Sequence, residues 1–137
     1  MRFEGRIRKD GRLWLVEIPA FDAVTQGRTK REAFGMAEDL IETMADAKGF
    51  RVTAYPSGGE IFEIEANSVR TLIALLLRRQ RERHGLTLSE AAERLGQRSR
   101  NAYARYEQGR AMPSVEKLVQ LLEAIAPDQR IVWRIAA

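Results

Sequence analysis

The chain has 137 residues, enough for one ordinary domain or two small ones, and 31% of them are charged. It contains no run of about 18 apolar residues, so we expect no membrane span. Cysteine is absent, which excludes disulfides and the usual structural zinc sites; we expect a cytoplasmic location, with neither a metal nor a cofactor.

The formal net charge of +4 is unevenly distributed along the chain. Residues 1–66 carry 10 Lys and Arg against 12 Asp and Glu, a net of −2, whereas residues 67–137 carry 13 against 7, a net of +6. A solvated arginine-rich surface would account for the basic half. A nucleic-acid-binding unit joined to a unit of another kind also fits the division.

The first half is predicted to form short strands around one helix. Strands are expected at residues 2–8, 12–18, 23–26, 50–55 and 60–65. Asp10-Gly11 has the composition of a hairpin turn. Thr29 and Glu32 have capping-box spacing, so a helix begins there, and Gly49 ends it. The predicted order is β-β-β-α-β, with an extra last strand that leads out of the domain.

The second half is predicted to be helical. Four helices are expected, beginning at Ser68, Thr87, Ser99 and Pro113-Ser114. Gly85, Gly96 and Gly109 end the first three of them. The tail, residues 130–135, has strand composition. The predicted fold is therefore α+β, with a strand-rich domain at residues 1–66 and an all-α domain at residues 67–137 that ends in a strand.

Two short helices that follow a longer one, separated by a tight turn at Gly96, form the helix-turn-helix arrangement. The second short helix fits the major groove of DNA, where Arg can bond guanine and Asn can bond adenine bidentately. We expect Ala104 to lie on its exposed face. The predicted base-reading residues are Ser99, Arg100, Asn101, Tyr103 and Arg105, although Tyr103 packs inward more readily than it touches a thymine methyl. The predicted phosphate contacts are Thr87, Arg98 and Arg110.

The C-terminal half resembles the XRE (phage-repressor-like) DNA-binding domains over residues 68–126. The resemblance rests on Arg81-Glu82-Arg83-His84-Gly85-Leu86-Thr87, Arg105-Tyr106-Glu107-Gln108-Gly109 and Pro113-Ser114. It implies that Glu107 pairs with Arg81 as a structural contact. The chain has one residue more than the common pattern between Gly96 and Glu107, so Ser99 is the first substitute if the base contacts shift by one.

The N-terminal half resembles HicB-type antitoxins. The resemblance rests on Leu15-Val16-Glu17-Ile18-Pro19, Val24-Thr25-Gln26-Gly27, Thr29 and Glu32-Ala33. It implies a partial RNase H-like β-β-β-α-β domain in a type II antitoxin. Such a protein would neutralise a HicA-type mRNA-cleaving toxin and, as a dimer, bind operator DNA to repress its own toxin–antitoxin operon. No enzyme activity is implied.

Two further contacts are predicted on this basis. A basic ribonuclease should meet the acidic N-terminal half, since opposite charge speeds association, and the expected contact residues are Glu17, Phe21 and Asp22. In the tail, Ile131, Trp133 and Ile135 alternate with other residues at strand periodicity. Pairing of this strand with the same strand of a second chain would give a homodimer or a higher oligomer.

Two alternatives stay open. The chain could be a one-component regulator whose N-terminal domain senses a small ligand; an adjacent toxin reading frame would favour the antitoxin instead. A nuclease of the RNase H type would need converging carboxylates around two metal ions. Glu4, Asp10, Glu17 and Asp22 form no dense cluster in the sequence. The only histidine, His84, is expected to be a helix-terminal residue.

Overall fold

A computed structural model describes residues 1–136 and shows an antiparallel sheet followed by a helical unit. The strands are β1 (Phe3–Asp10), β2 (Leu13–Ile18), β3 (Ala23–Gly27), β4 (Val52–Gly58) and β5 (Ile61–Ala66). They lie in the order β3-β2-β1-β5-β4, and every neighbouring pair is antiparallel. A 3₁₀ turn (Pro19–Phe21) joins β2 to β3, and helix α1 (Lys30–Ala45) joins β3 to β4.

Strand β5 lies inside the sheet. It pairs with β1 on one side and β4 on the other, so the extra last strand belongs to the sheet, and the chain passes from it into the helical unit. Gly5 of β1 lies opposite Phe62 of β5, and a Cβ on Gly5 would come within 2.3 Å of that ring. Phe62 is fully buried and packs edge-on against Phe34 of α1 at 5.3 Å. Strands β1 and β5 are therefore both interior strands of the five-stranded sheet. The assignment of this sheet to the RNase H-like class stays a prediction.

Helix α1 covers the inner face of the sheet. The predicted cap is present, since the Thr29 hydroxyl oxygen accepts a hydrogen bond from the backbone N–H of Glu32 at 3.0 Å. Its buried positions are Ala33, Ala37 and Ile41. A Cβ on Gly27 would lie 2.4 Å from the backbone nitrogen of Ala33. Gly27 therefore permits the close approach of β3 to the start of the helix.

The helical unit contains α2 (Val69–Arg83), α3 (Leu88–Arg94), α4 (Arg100–Glu107) and α5 (Val115–Ile125). Each begins at a capping hydroxyl, from Ser68, Thr87, Ser99 and Ser114. Both hydrogen bonds of the Thr87–Glu90 capping box are formed. Gly96 has a φ of 71°, which lets the chain turn tightly between α3 and α4. The predicted helices are confirmed, and none within residues 1–136 is long and apolar enough to span a membrane.

Helix α2 joins the two halves of the protein. The Arg79 Nε donates to the Phe21 carbonyl at 2.8 Å, and the buried Gln80 Nε2 donates to the Ala20 carbonyl at 2.8 Å. Arg78 donates to the Met44 carbonyl at the end of α1. A single cluster of buried apolar side chains continues through both halves. The N-terminal sheet and the helical unit are therefore packed against each other along α2.

The tail does not form the predicted strand. Residues 129–136 have no regular secondary structure, and Ala137 lies outside the described residues. A strand needs a hydrogen-bonded neighbour, and the single chain supplies none to the tail. Instead, Arg134 Nη2 lies 3.3 Å from Glu63 Oε2 on β5. The predicted strand residues remain accessible, with Trp133 55% and Ile135 101% exposed.

Candidate nucleic-acid interface

Helix α4 is held in place by its first residue and by one buried face. The Ser99 hydroxyl oxygen accepts the Asn101 N–H at 3.2 Å and so fixes the start of the helix. Tyr103 and Tyr106 are buried against the rest of the helical unit. The predicted base-reading residues Arg100, Asn101 and Arg105 are exposed. The helix therefore presents polar donors on the side opposite its tyrosines.

The inward packing expected of Tyr103 is confirmed, which excludes it from the base-reading residues, and the exposed position expected of Ala104 was wrong. Tyr103 is 0% exposed, so it cannot touch a base, and Ala104 is buried beside it. Burial and the nearby carboxylate of Glu107 raise the pKa of the Tyr103 phenol far above its ordinary value, so it stays neutral. Helix α4 packs against both α2 and α3. Contact with two neighbours leaves a narrower exposed face than a helix resting on one would have.

The ion pair implied by the sequence resemblance is present. Arg81 Nε donates to Glu107 Oε2 at 2.7 Å and to Oε1 at 3.0 Å. Arg81 Nη1 also donates to the Leu86 carbonyl at 2.8 Å. The two side chains are only 14% and 4% exposed. The pair therefore ties α2, α4 and the segment before α3 together, and it is not part of the outward face.

The structure adds one candidate contact. Asn101, Arg105 and Gln108 are all exposed and follow the i, i+4, i+7 spacing of one helix face. Gln108 is the added candidate, because a Gln side chain can bond adenine bidentately, as Asn can. The predicted helix end at Glu107 is confirmed; Gln108 is the C-cap residue just beyond it, and it is found when the exposed spacing is extended past the helix end. Arg105 lies along the helix, where it donates to the Ala102 carbonyl at 3.2 Å and to the Tyr106 hydroxyl at 3.3 Å.

The three predicted phosphate contacts are exposed around α4. Thr87 caps α3, where its hydroxyl oxygen accepts the Glu90 N–H at 3.1 Å, which leaves its own hydrogen free to donate. Arg98 lies in the turn before α4, and Arg110 follows the positive-φ Gly109 after it. All three side chains are therefore accessible, and their contact with a phosphate backbone stays a prediction.

We expect Arg110→Ala to weaken binding to all duplex sequences alike, because a phosphate contact carries no base information. The slope of log affinity against log salt should become shallower by about 0.9. Titration of operator and scrambled duplexes at several salt concentrations measures both effects. Lys48→Ala, in the N-terminal half, is the matched control with the same charge change. A loss confined to the operator would assign Arg110 to base reading instead.

The predicted toxin-contact residues lie in different environments. Phe21 is 0% exposed and packs edge-on against Phe3 at 5.0 Å, so its assignment to a contact surface was wrong. Helix α2 covers the turn that carries Phe21, which the local pattern could not indicate. Asp22 is exposed, but its carbonyl accepts Arg79 Nη2 at 3.0 Å. Glu17 is exposed and lines a shallow hollow of about 150 Å³.

His84 is the C-cap residue of α2, so its predicted helix-terminal position is confirmed. Its Nδ1 lies 2.7 Å from the Gln80 carbonyl, and its Nε2 lies 2.5 Å from Asp128 Oδ1. The hydrogen bond from His84 lowers the pKa of the Asp128 carboxyl. The residue therefore connects the end of α2 to the beginning of the tail.

The comparison with known families concerns the helical unit. Residues 72–129 match the family described as "Helix-turn-helix domain". The matched segment begins inside α2, contains α3, α4 and α5, and covers less than half of the chain. No curated protein matches the sequence. The C-terminal unit of this protein is a helix-turn-helix domain, with α4 in the position of the recognition helix.

Proposed function

We propose that this protein is a sequence-specific DNA-binding repressor of the XRE type. The observation that carries the proposal is the outward face of α4 in a helix-turn-helix domain. Arg100 and Asn101 are exposed at the first turn of that helix, the end that contacts base edges in this motif. The net charge of +6 over residues 67–137 supports binding to a phosphate backbone.

Selection from a random duplex library with the full chain tests this proposal. The selected duplex should bind at least about 10³-fold more tightly than a scrambled duplex at the same salt concentration. Equal affinities for the two duplexes would contradict sequence-specific binding. A selected sequence with two related half-sites would further indicate a symmetric dimer.

A finer proposal is that the protein is a HicB-type antitoxin. The segments that carry the sequence resemblance form β2, β3 and the capped start of α1, which are adjacent in the fold. Charge is also segregated within this half, since residues 1–31 carry a net of +4 and residues 32–66 a net of −6. A basic ribonuclease would therefore dock on the acidic side, which includes the outer face of α1.

Co-expression with the product of the adjacent reading frame, after that product alone is tested for growth arrest, tests the antitoxin proposal. The full chain should restore growth. Asp39→Lys with Glu42→Lys, on α1, should slow toxin association by about tenfold or more, because steering by opposite charge is lost. Glu93→Lys with Glu116→Lys, in the helical unit, is the matched control. Growth arrest that persists beside the intact full chain would contradict the antitoxin role and leave the DNA-binding proposal standing.

We also propose that the tail forms the dimer contact. Its apolar side chains Ile131 and Trp133 line an open groove of about 460 Å³ beside α5. Removing residues 129–137 should yield monomers by light scattering, because the exposed strand-forming segment is the surface that a second chain would cover. Removing only residues 136–137 is the control. A truncated protein that keeps the dimer mass would contradict a tail-mediated contact.

A further inference from the structure

One end of the N-terminal sheet carries basic residues of β1, of the turn before β2, of the loop after β3 and of the start of α1. There β1 ends, β2 begins, β3 ends and α1 starts. Lys9 lies opposite Trp14, and Trp14 lies opposite Gly27, across three neighbouring strands. We call this surface the Trp14 end; its basic residues are Lys9, Arg12, Arg28, Lys30 and Arg31.

The charge of the Trp14 end is not neutralised by the protein. All five basic residues are exposed, and none of them forms an ion pair within residues 1–136. The acidic residues in the same segments are Asp10 and Glu32. By contrast, Arg2, Arg79 and Arg81 are each paired with a carboxylate. Clustered like charge repels itself in the free protein and attracts a polyanion.

Trp14 orders part of this surface. The Lys9 Nζ lies 5.6 Å from the centre of its ring, and the Lys30 Nζ lies 5.2 Å from it. Both distances are within the roughly 6 Å range of cation–π attraction. Two ammonium groups, one from a strand and one from a helix, are thereby held near one ring. Ordering them before binding lowers the entropic cost of meeting a partner.

We propose that the Trp14 end is a second nucleic-acid contact, which binds the phosphate backbone without reading bases. The choice of nucleic acid as the polyanion rests on the proposed DNA-binding function. Strand β2 separates the Trp14 end from the 3₁₀ turn that α2 contacts, a distance of about 15–20 Å at roughly 3.3 Å per residue. The Trp14 end is therefore at the end of β2 away from α2, and the phosphates that it would bind are distinct from the base pairs assigned to α4.

The test compares two full-length variants with the same change of net charge. Lys9→Gln with Lys30→Gln removes two charges from the Trp14 end, and Lys48→Gln with Arg51→Gln removes two from elsewhere in the same half. Affinity for a long scrambled duplex is measured between about 50 and 200 mM salt. For Lys9→Gln with Lys30→Gln, the slope of log affinity against log salt should be shallower by about two units, at roughly 0.9 for each lost phosphate contact. The slope of the control variant should equal that of the wild type.

Equal slopes for the two variants would overturn the proposal. A parallel measurement uses phosphatidylserine vesicles, and loss of vesicle binding with an unchanged DNA slope would overturn it in favour of a membrane surface. The proposed function has a separate readout. Arg100→Ala with Asn101→Ala should abolish the preference for operator over scrambled DNA. In that background, adding Lys9→Gln with Lys30→Gln should still make the salt dependence of binding to scrambled DNA shallower. A wild type that binds no duplex would overturn both proposals.

Discussion

Replacing Glu107 with alanine is expected to lower the free energy of unfolding by about 3–5 kcal/mol. The substitution leaves the largely buried Arg81 guanidinium with only the Leu86 carbonyl as a hydrogen-bond acceptor. It also removes an ion pair that connects α2 and α4. Denaturant unfolding followed by far-ultraviolet circular dichroism measures the loss.

Two further variants distinguish the loss of the Arg81–Glu107 ion pair from the effect of removing any carboxylate. Glu93→Ala removes an exposed carboxylate of α3 and should change the free energy of unfolding by no more than about 0.5 kcal/mol. Arg81→Met with Glu107→Leu removes both charges and should recover much of the stability, because no unpaired charge stays buried. A loss for Glu107→Ala no larger than that for Glu93→Ala would show that the pair contributes little.

Replacing Arg100 or Asn101 with alanine is expected to cost about 1–3 kcal/mol at the operator, or roughly 5- to 150-fold in affinity. Each residue would lose a bidentate bond to one base edge. Each variant should therefore lose its preference at particular base pairs and keep it at the others. Affinities for a set of operators with single base changes locate those positions.

Ser99 provides the check on register. If the extra residue before Glu107 shifts the contacts by one, Ser99→Ala rather than Arg100→Ala will relax the base preference. Arg83→Ala removes an exposed arginine from α2 and is the control for charge alone. A uniform loss across all base changes for Arg100→Ala would assign that residue to the phosphate backbone.

The helical unit could be predicted closely because its boundaries are set by local chemistry. The Thr87–Glu90 capping box and the positive-φ Gly96 each satisfy a requirement within a few residues of themselves. The Arg81–Glu107 pair joins distant positions, and only the family resemblance indicated it. Gln108 was missed because it lies one residue beyond the predicted helix end, although it continues an exposed stripe.

The errors and omissions fall where the outcome depends on packing between elements. Strand periodicity indicates which face of β5 is buried, but it does not specify which strands flank it. Phe21 is buried because α2 covers its turn, and Ala104 because α4 has two helical neighbours. The tail has strand composition but no neighbour in the single chain.

The central claim is that α4 reads the bases of an operator. Its most direct test measures the affinities of the wild type and of Arg100→Ala with Asn101→Ala for operator and scrambled duplexes across a salt series. We expect the operator affinity of the double variant to fall to its scrambled level, while the scrambled affinity and its salt slope change little. An equal fall in both affinities, with the operator preference retained, would show that α4 is not the reading element.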